Sequence, residues 1–365
     1  MQPEAYDLSY EEQILMKLRS LYRQYGYAQY RMSKFEEYDL YAGNKDFLVS
    51  ENVLTFTDLN GTLMALKPDV TLSIVRGSPD RLDQFRKVFY NEKVYRTAGS
   101  SRTFREIPQT GLECIGPIDD YSVLEVLLLA AESLLCISGN SVLEISHLDM
   151  IAAFTQALGL PEGAKKKLMK CVGEKNRHEL RELCAENGAD PEKTELLLRL
   201  LRASGPPSEV LPLLRDLPCP PAALAQLETI AAGFAAAGLP EMLRIDFSVV
   251  NDMQYYRGIV FRGFVYGVPS GVLSGGRYDR LLQKMGRKAG AIGFAVYLDE
   301  LERIAPEEER TDADVLLLYD ETVSPEALCR EVRKLTGEGK RVLTQRGIPE
   351  GGRWGELRDL AKGAE

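Results

Sequence analysis

From residue 9 the apolar positions Ile14, Leu18, Leu21, Tyr22 and Tyr25 recur at the spacing of one helix face. Ser9, with Glu12 three residues on, has the pattern of a capping box, and Gly26 closes the segment. The texture then shifts to short runs rich in β-branched, aromatic and aliphatic residues over 53–57, 63–67 and 88–96. Asn60-Gly61 and Gly77-Ser78-Pro79 separate these runs, so the spacing predicts strands joined by turns. A long helix is predicted over 121–138.

From about Asp149 to Glu241 leucine-rich, alanine-rich and charged stretches alternate with Pro206-Pro207, Pro218 and Pro220-Pro221, which predicts a small all-helical insertion. Strand character returns over 243–250 and 259–266, and Gly275-Gly276 has the look of a β-bulge or corner. After Pro306 and an acidic run, a strand over 315–319, a helix from Ser324, a strand around Val342 and a last helix from Gly355 are predicted. Strands dense with turns, then helices, then more strands point to an α+β domain over 1–305 on an antiparallel sheet, followed by a partial α/β unit over 306–365.

Composition narrows the function classes. With 365 residues, 45% hydrophobic and 27% charged, the chain has an ordinary globular balance. A formal net charge of −9 argues against a broad electrostatic grip on nucleic acid. The six cysteines include no CxxC pair, and with two histidines in the chain no zinc constellation is visible. Reduced thiols, the lack of a basic-then-apolar leader and the lack of an uninterrupted apolar span make the cytoplasm the expected compartment, with no membrane partner. No GxGxxG or P-loop follows a predicted strand, so no cofactor is implied.

Four stretches carry a family resemblance. Gly26-Tyr27 leads to Glu36, and Leu66-Lys67-Pro68-Asp69-Val70-Thr71 is followed by Arg76. Val94-Tyr95-Arg96 runs through Arg102 and Arg105 to Gln109-x-Gly111-x-Glu113-x-Ile115-Gly116. Last come Tyr255-Tyr256-x-Gly258-x-Val260-Phe261, Ser274-Gly275-Gly276-Arg277-Tyr278-Asp279 and Gly293-Phe294-Ala295. In order and spacing these resemble the catalytic domain of histidyl-tRNA synthetase, a class II synthetase, over roughly residues 10–303.

The resemblance implies a class II antiparallel sheet flanked by helices and a pocket for a small zwitterion. Asp69, Thr71 and Gln109 would then face an α-amino group, Glu113 and Tyr256 an imidazole, and Arg96 a carboxylate. Tyr255 and Gly275 complete the expected wall, the glycine by letting backbone approach the ligand. Alternation alone favours reading Gln109 and Glu113 as one side of a solvated strand, and adjacent strand residues face opposite sides, so only one of Tyr255 and Tyr256 can enter a given pocket.

The pattern breaks on its nucleotide side. Ala98 stands where the family places a carboxylate near the adenine, Asn251 where an arginine meets the α-phosphate, and Glu300 where a second phosphate-binding arginine belongs. Developing phosphate charge must be met by fixed cations, so ATP activation is not expected. The tail resembles only the opening of an anticodon-binding domain, which makes tRNA an unexpected partner.

A synthetase relative that keeps the histidine side and loses the ATP side resembles the regulatory subunits of ATP phosphoribosyltransferase. That resemblance implies a short-form catalytic subunit as partner, histidine as ligand, a role in histidine biosynthesis and a homodimer within a hetero-oligomer. A divergent synthetase, or a paralogue that takes another amino acid, are the competing readings.

Overall fold

The structure is a computed structural model that describes residues 8–48, 52–97, 103–250, 256–304 and 311–362. It divides into two units, Met1–Ala305 and Pro306–Glu365.

Helix α1 (Tyr10–Gln24) opens on the capping box: Glu12 N–H donates to Ser9 Oγ, and Ser9 N–H to the Glu12 carboxylate. Gly26 ends it in the left-handed region at φ +81°. Strand β1 (Ala28–Gln29) follows, then a small antiparallel sheet of β2 (Phe35–Glu37), β3 (Thr55–Thr57) and β4 (Leu63–Leu66), with the short helix α2 (Asp39–Ala42) between β2 and β3. Gly61, at φ +82°, turns the β3–β4 hairpin. Helix α3 (Thr71–Arg76) then leads to two long strands, β5 (Arg86–Thr97) and β6 (Phe104–Gly116), and to helix α4 (Asp120–Ile137).

Strand β7 (Ser141–His147) precedes the predicted insertion, which comprises α5 (Leu148–Ala157), α6 (Glu162–Gly173), α7 (Arg177–Glu186), α8 (Pro191–Arg202), α9 (Pro207–Arg215) and α10 (Pro221–Ala236). It is not all-helical. Between α8 and α9 the two residues of β8 (Ser204–Gly205) leave the helical layer and pair with β9 (Leu243–Asp246). Buried Asp246 fastens the insertion there, accepting from Lys175 Nζ at 2.6 Å and from Ser204 Oγ at 3.0 Å. The unit finishes with β10 (Ile259–Val265), β11 (Leu273–Arg277), α11 (Asp279–Lys284) and β12 (Gly290–Tyr297).

The nine strands of the main sheet lie in the order β1-β5-β6-β12-β11-β10-β7-β9-β8. All pairs are antiparallel except β1 with β5 and β7 with β9. Because side chains alternate across a strand, the register sorts residues onto two faces. Phe89, Leu112, Phe294, Gly275, Phe261 and Ile145 share one row. That row meets Ile14, Leu18 and Tyr22 of α1 and Leu127 and Leu134 of α4 in the main core. The other face carries Val88, Tyr90 and Ile115, packed against Leu72, Ile74 and Val75 of α3 and Leu281 and Leu282 of α11. A cavity opens on this second face.

In the second unit β13 (Ala313–Leu318) lies between β14 (Val342–Gln345) and β15 (Trp354–Asp359), all parallel, with α12 (Pro325–Gly337) capped by Ser324. The helix predicted from Gly355 is instead β15. Glu356 and Arg358, two residues apart, pair at 2.6 Å on one side of the strand, and the backbone completes a ladder with β13. Tertiary pairing overrides the helical propensity of Glu-Leu-Arg-Asp-Leu. No helix among the described residues is long and apolar enough to cross a membrane.

Leu127 is fully buried and Leu213 is 53% exposed. Leu127→Ala should therefore cost about 2–5 kcal/mol in urea unfolding, whereas Leu213→Ala should stay within about 0.5 kcal/mol of the parent.

Candidate functional site

The cavity encloses about 410 Å³ over the sheet face that carries Glu113. Its floor has little side chain. Glu113, Gly293, Gly276 and Val260 form one row across β6, β12, β11 and β10, and Gly111, Ala295, Ser274 and Arg262 form the next. The glycines are required by their neighbours: a Cβ at Gly293 would lie 1.8 Å from Glu113 Oε2, and one at Gly276 would lie 2.6 Å from the Tyr256 ring. Gly275 and Gly276 are neither bulge nor corner; both keep regular ladder positions. Gly275 faces away from the cavity. A Cβ there would run into the Phe261 ring and Phe294 Cβ, both at 2.6 Å. The alternation that brings Ser274 and Gly276 to the cavity side puts Gly275 in the core.

Glu113 and Gln109 share a face of β6 and are each 2% exposed, which removes the solvated-strand reading. The Thr71 hydroxyl donates to Glu113 Oε1 at 2.8 Å, and the Tyr278 hydroxyl donates to Oε2. Burial pushes the Glu113 carboxyl up to about 8, against the downward pull of the bonds from Tyr278 and Thr71 and with a further push from the Asp69 charge. Near neutral pH the carboxyl is largely protonated. Four residues back on the same strand face, the Gln109 amide nitrogen is buried and has no hydrogen-bond partner among the described residues. An unmet buried donor costs about 1–3 kcal/mol, and among the described residues no acceptor meets this one.

Asp69 enters on the loop between β4 and α3, and Thr71 is the first residue of α3. The Leu72 N–H donates to Asp69 Oδ1 at 2.8 Å, fixing that carboxylate over the first turn of α3. Burial raises the Asp69 pKa, opposed by Arg96 and by the amides of Leu72 and Thr71. Arg96 lines the cavity, but its Nε donates to the Pro68 carbonyl at 2.6 Å and its Nη2 lies 3.8 Å from Asp69. A buried ion pair between Lys67 and Glu92, together with Tyr95 N–H on the Lys67 carbonyl at 3.0 Å, holds the same loop against β5. Tyr90 and Tyr256 also line the cavity, and burial keeps both phenols protonated.

Of the residues expected from sequence, Asp69, Thr71, Arg96, Gln109, Glu113 and Tyr256 come together here. Tyr255 lies outside the described residues, as do Ala98 and Asn251. Glu300 falls in the turn Leu298–Arg303 that follows β12, with its carboxylate 3.5 Å from Arg303 and off the cavity wall. Among the contributors that sequence reasoning missed are Tyr278, Gly293 and Arg262. The first two stood inside quoted motifs, where only the register shows that they meet Glu113. Arg262 gave no signal, because its place on the floor depends on the pairing of β10 with β11.

A class II synthetase fold with a polar-walled cavity is what the sheet and its loops define. The family model described as histidyl-tRNA synthetase matches residues 4–301, and the chain belongs to that family. It is 31% identical over 323 residues to the ATP phosphoribosyltransferase regulatory subunit of Clostridium kluyveri, covering 85% of this chain and 83% of that one, and so stands among such regulatory subunits. Two solved structures share the fold. One is an ATP phosphoribosyltransferase regulatory subunit/histidyl-tRNA synthetase from Bacillus halodurans, with TM-score 0.76, 22% identity, and 98% and 97% of the two chains covered. The other is the ATP phosphoribosyl transferase (HisG:HisZ) complex from Thermotoga maritima, with TM-score 0.62, 20% identity, and 79% and 97% covered.

The raised pKa of Glu113 has a defined sign in stability. Between its ordinary value of 4.5 and about 8 the folded chain keeps a proton that the unfolded chain has released, so the contribution from Glu113 is fully present below that window and falls as pH rises through it. Glu113→Gln, which cannot ionise, should gain stability relative to the parent from pH 5 to pH 8 in denaturant titrations. A pH-independent difference would show that the carboxyl is charged throughout.

Proposed function

We propose that the chain is a non-catalytic regulatory subunit that binds a short-form ATP phosphoribosyltransferase catalytic subunit and places its activity under histidine feedback in histidine biosynthesis. The observation that carries the ligand reading is a cavity lined by the neutral Glu113 carboxyl, the Asp69 carboxylate and the Gln109 amide, whose buried nitrogen has no partner among the described residues. An imidazole asks for a partner at each ring nitrogen, which suits Glu113 and Tyr256, and an α-ammonium asks for a carboxylate, which suits Asp69. The sequence at Ala98, Asn251 and Glu300 withholds the groups that would hold and activate ATP. A site that binds and turns nothing over acts by differential affinity for two conformations. The functional unit is a symmetric homodimer within a hetero-oligomer, and tRNA is not a partner.

Mixed with a short-form catalytic subunit, the purified chain should co-elute with it, raise its phosphoribosyl transfer and make that activity sensitive to histidine. Gln109→Ala should raise the histidine concentration for half-inhibition by about tenfold, the worth of a buried hydrogen bond to a charged or strongly polar ligand group. Failure to co-elute with unchanged activity would overturn the reading. Histidine-dependent ATP–pyrophosphate exchange by the chain alone would favour a working synthetase instead.

A further inference from the structure

We propose that Arg262 holds the carboxylate of the amino acid in this cavity, as its specificity-determining cation. The inference rests on the amino-acid reading above and assigns the cation that faces the ligand's carboxylate. The resemblance points to Arg96 for the carboxylate, but the geometry gives Arg96 another task. Its Nε is spent on the Pro68 carbonyl and its outer nitrogen faces Asp69, so it braces the loop that presents Asp69 and Thr71. A guanidinium in that position is a positioning group.

Arg262 sits at the opposite corner of the floor from Glu113. Three inter-strand steps separate β6 from β10, and one two-residue step along the strand separates their rows. At about 4.8 Å per strand and about 3.4 Å per residue the diagonal between their backbones is about 16 Å. An arginine reaching inward from one corner and a glutamate from the other leave between them the length of one free amino acid. The ground between is Gly293, Gly276, Ala295 and Ser274, residues too small to fill it. A carboxyl at one end, a cation at the other and a buried amide donor along the side, Gln109, make a cradle for an extended zwitterion. The side chain of Arg262 lines the cavity and is exposed, and half-buried Glu144 is its register partner on β7. Among the described residues lining the cavity, Arg96 and Arg262 carry the positive charges.

The test compares histidine with histidinamide, which lacks the carboxylate, by calorimetric titration of the full chain. The parent should bind histidine about tenfold or more tighter than histidinamide, the range of a hydrogen-bonded charge pair. Arg262→Gln should collapse that ratio toward one while leaving histidinamide affinity in place, and Arg262→Lys should keep part of it. Arg96→Gln should weaken both ligands together, because it loosens the loop and not the carboxylate contact. An Arg262→Gln protein that keeps the parental ratio, with a parental unfolding midpoint, overturns the assignment alone. A parent that binds neither ligand overturns the amino-acid reading of the cavity and this assignment with it.

Discussion

Glu113 is a carboxyl set in the floor of a sheet, and the cavity is shaped by the need to keep it there. A buried ionised carboxylate without a cation is costly, and the fold meets the problem with hydroxyl donors from Thr71 and Tyr278 and with a pKa pushed up to about 8. Room for the carboxyl comes from Gly293, where any side chain would occupy the space that Glu113 Oε2 fills. Thr71 comes from the start of α3, Tyr278 from the end of β11 and Gly293 from β12. One side chain therefore ties the start of α3 to the β11–β12 region far along the chain, and Thr71, Tyr278 and Gly293 all line the cavity.

The rest of the site follows from this floor. Glycine and other small residues on β11 and β12 leave a shallow trough, and the loop carrying Asp69 is pressed over it by Arg96 and by the buried Lys67–Glu92 pair. The cavity so formed is lined by the polar side chains of Asp69, Thr71, Gln109 and Glu113. The sequence beyond it offers Ala98, Asn251 and Glu300 where phosphate-binding chemistry calls for other groups. On the function proposed above, the amino-acid half of a synthetase site is kept and the nucleotide half is altered, a division that suits a sensor better than a catalyst.

Much of this was legible in the sequence because it was encoded locally. The capping box at Ser9, the turn at Gly61 and the helix of residues 120–137 rest on short-range patterns, and the structure keeps them. Gln109 and Glu113 could be placed on one face from alternation, though not on a buried one. What was not legible depended on strand pairing. Trp354–Asp359 has helical composition but gains a parallel ladder with β13. The residues Ser204–Gly205 interrupt a helical region because β9 offers an open edge. Gly275 and Gly276 are neighbours with opposite duties, and Arg262 reaches the cavity only through its register with Ser274.

A regulatory subunit of this kind works if occupancy of the amino-acid cavity stabilises the folded chain while nucleotide does nothing of the sort. Ligand that binds only the native state raises the unfolding midpoint in step with its concentration, which makes thermal unfolding of the full chain the most direct measurement. The midpoint should climb with added histidine and stay flat with added ATP and magnesium. A midpoint that climbs with ATP, or that ignores histidine, would contradict the division of the site on which the whole account stands.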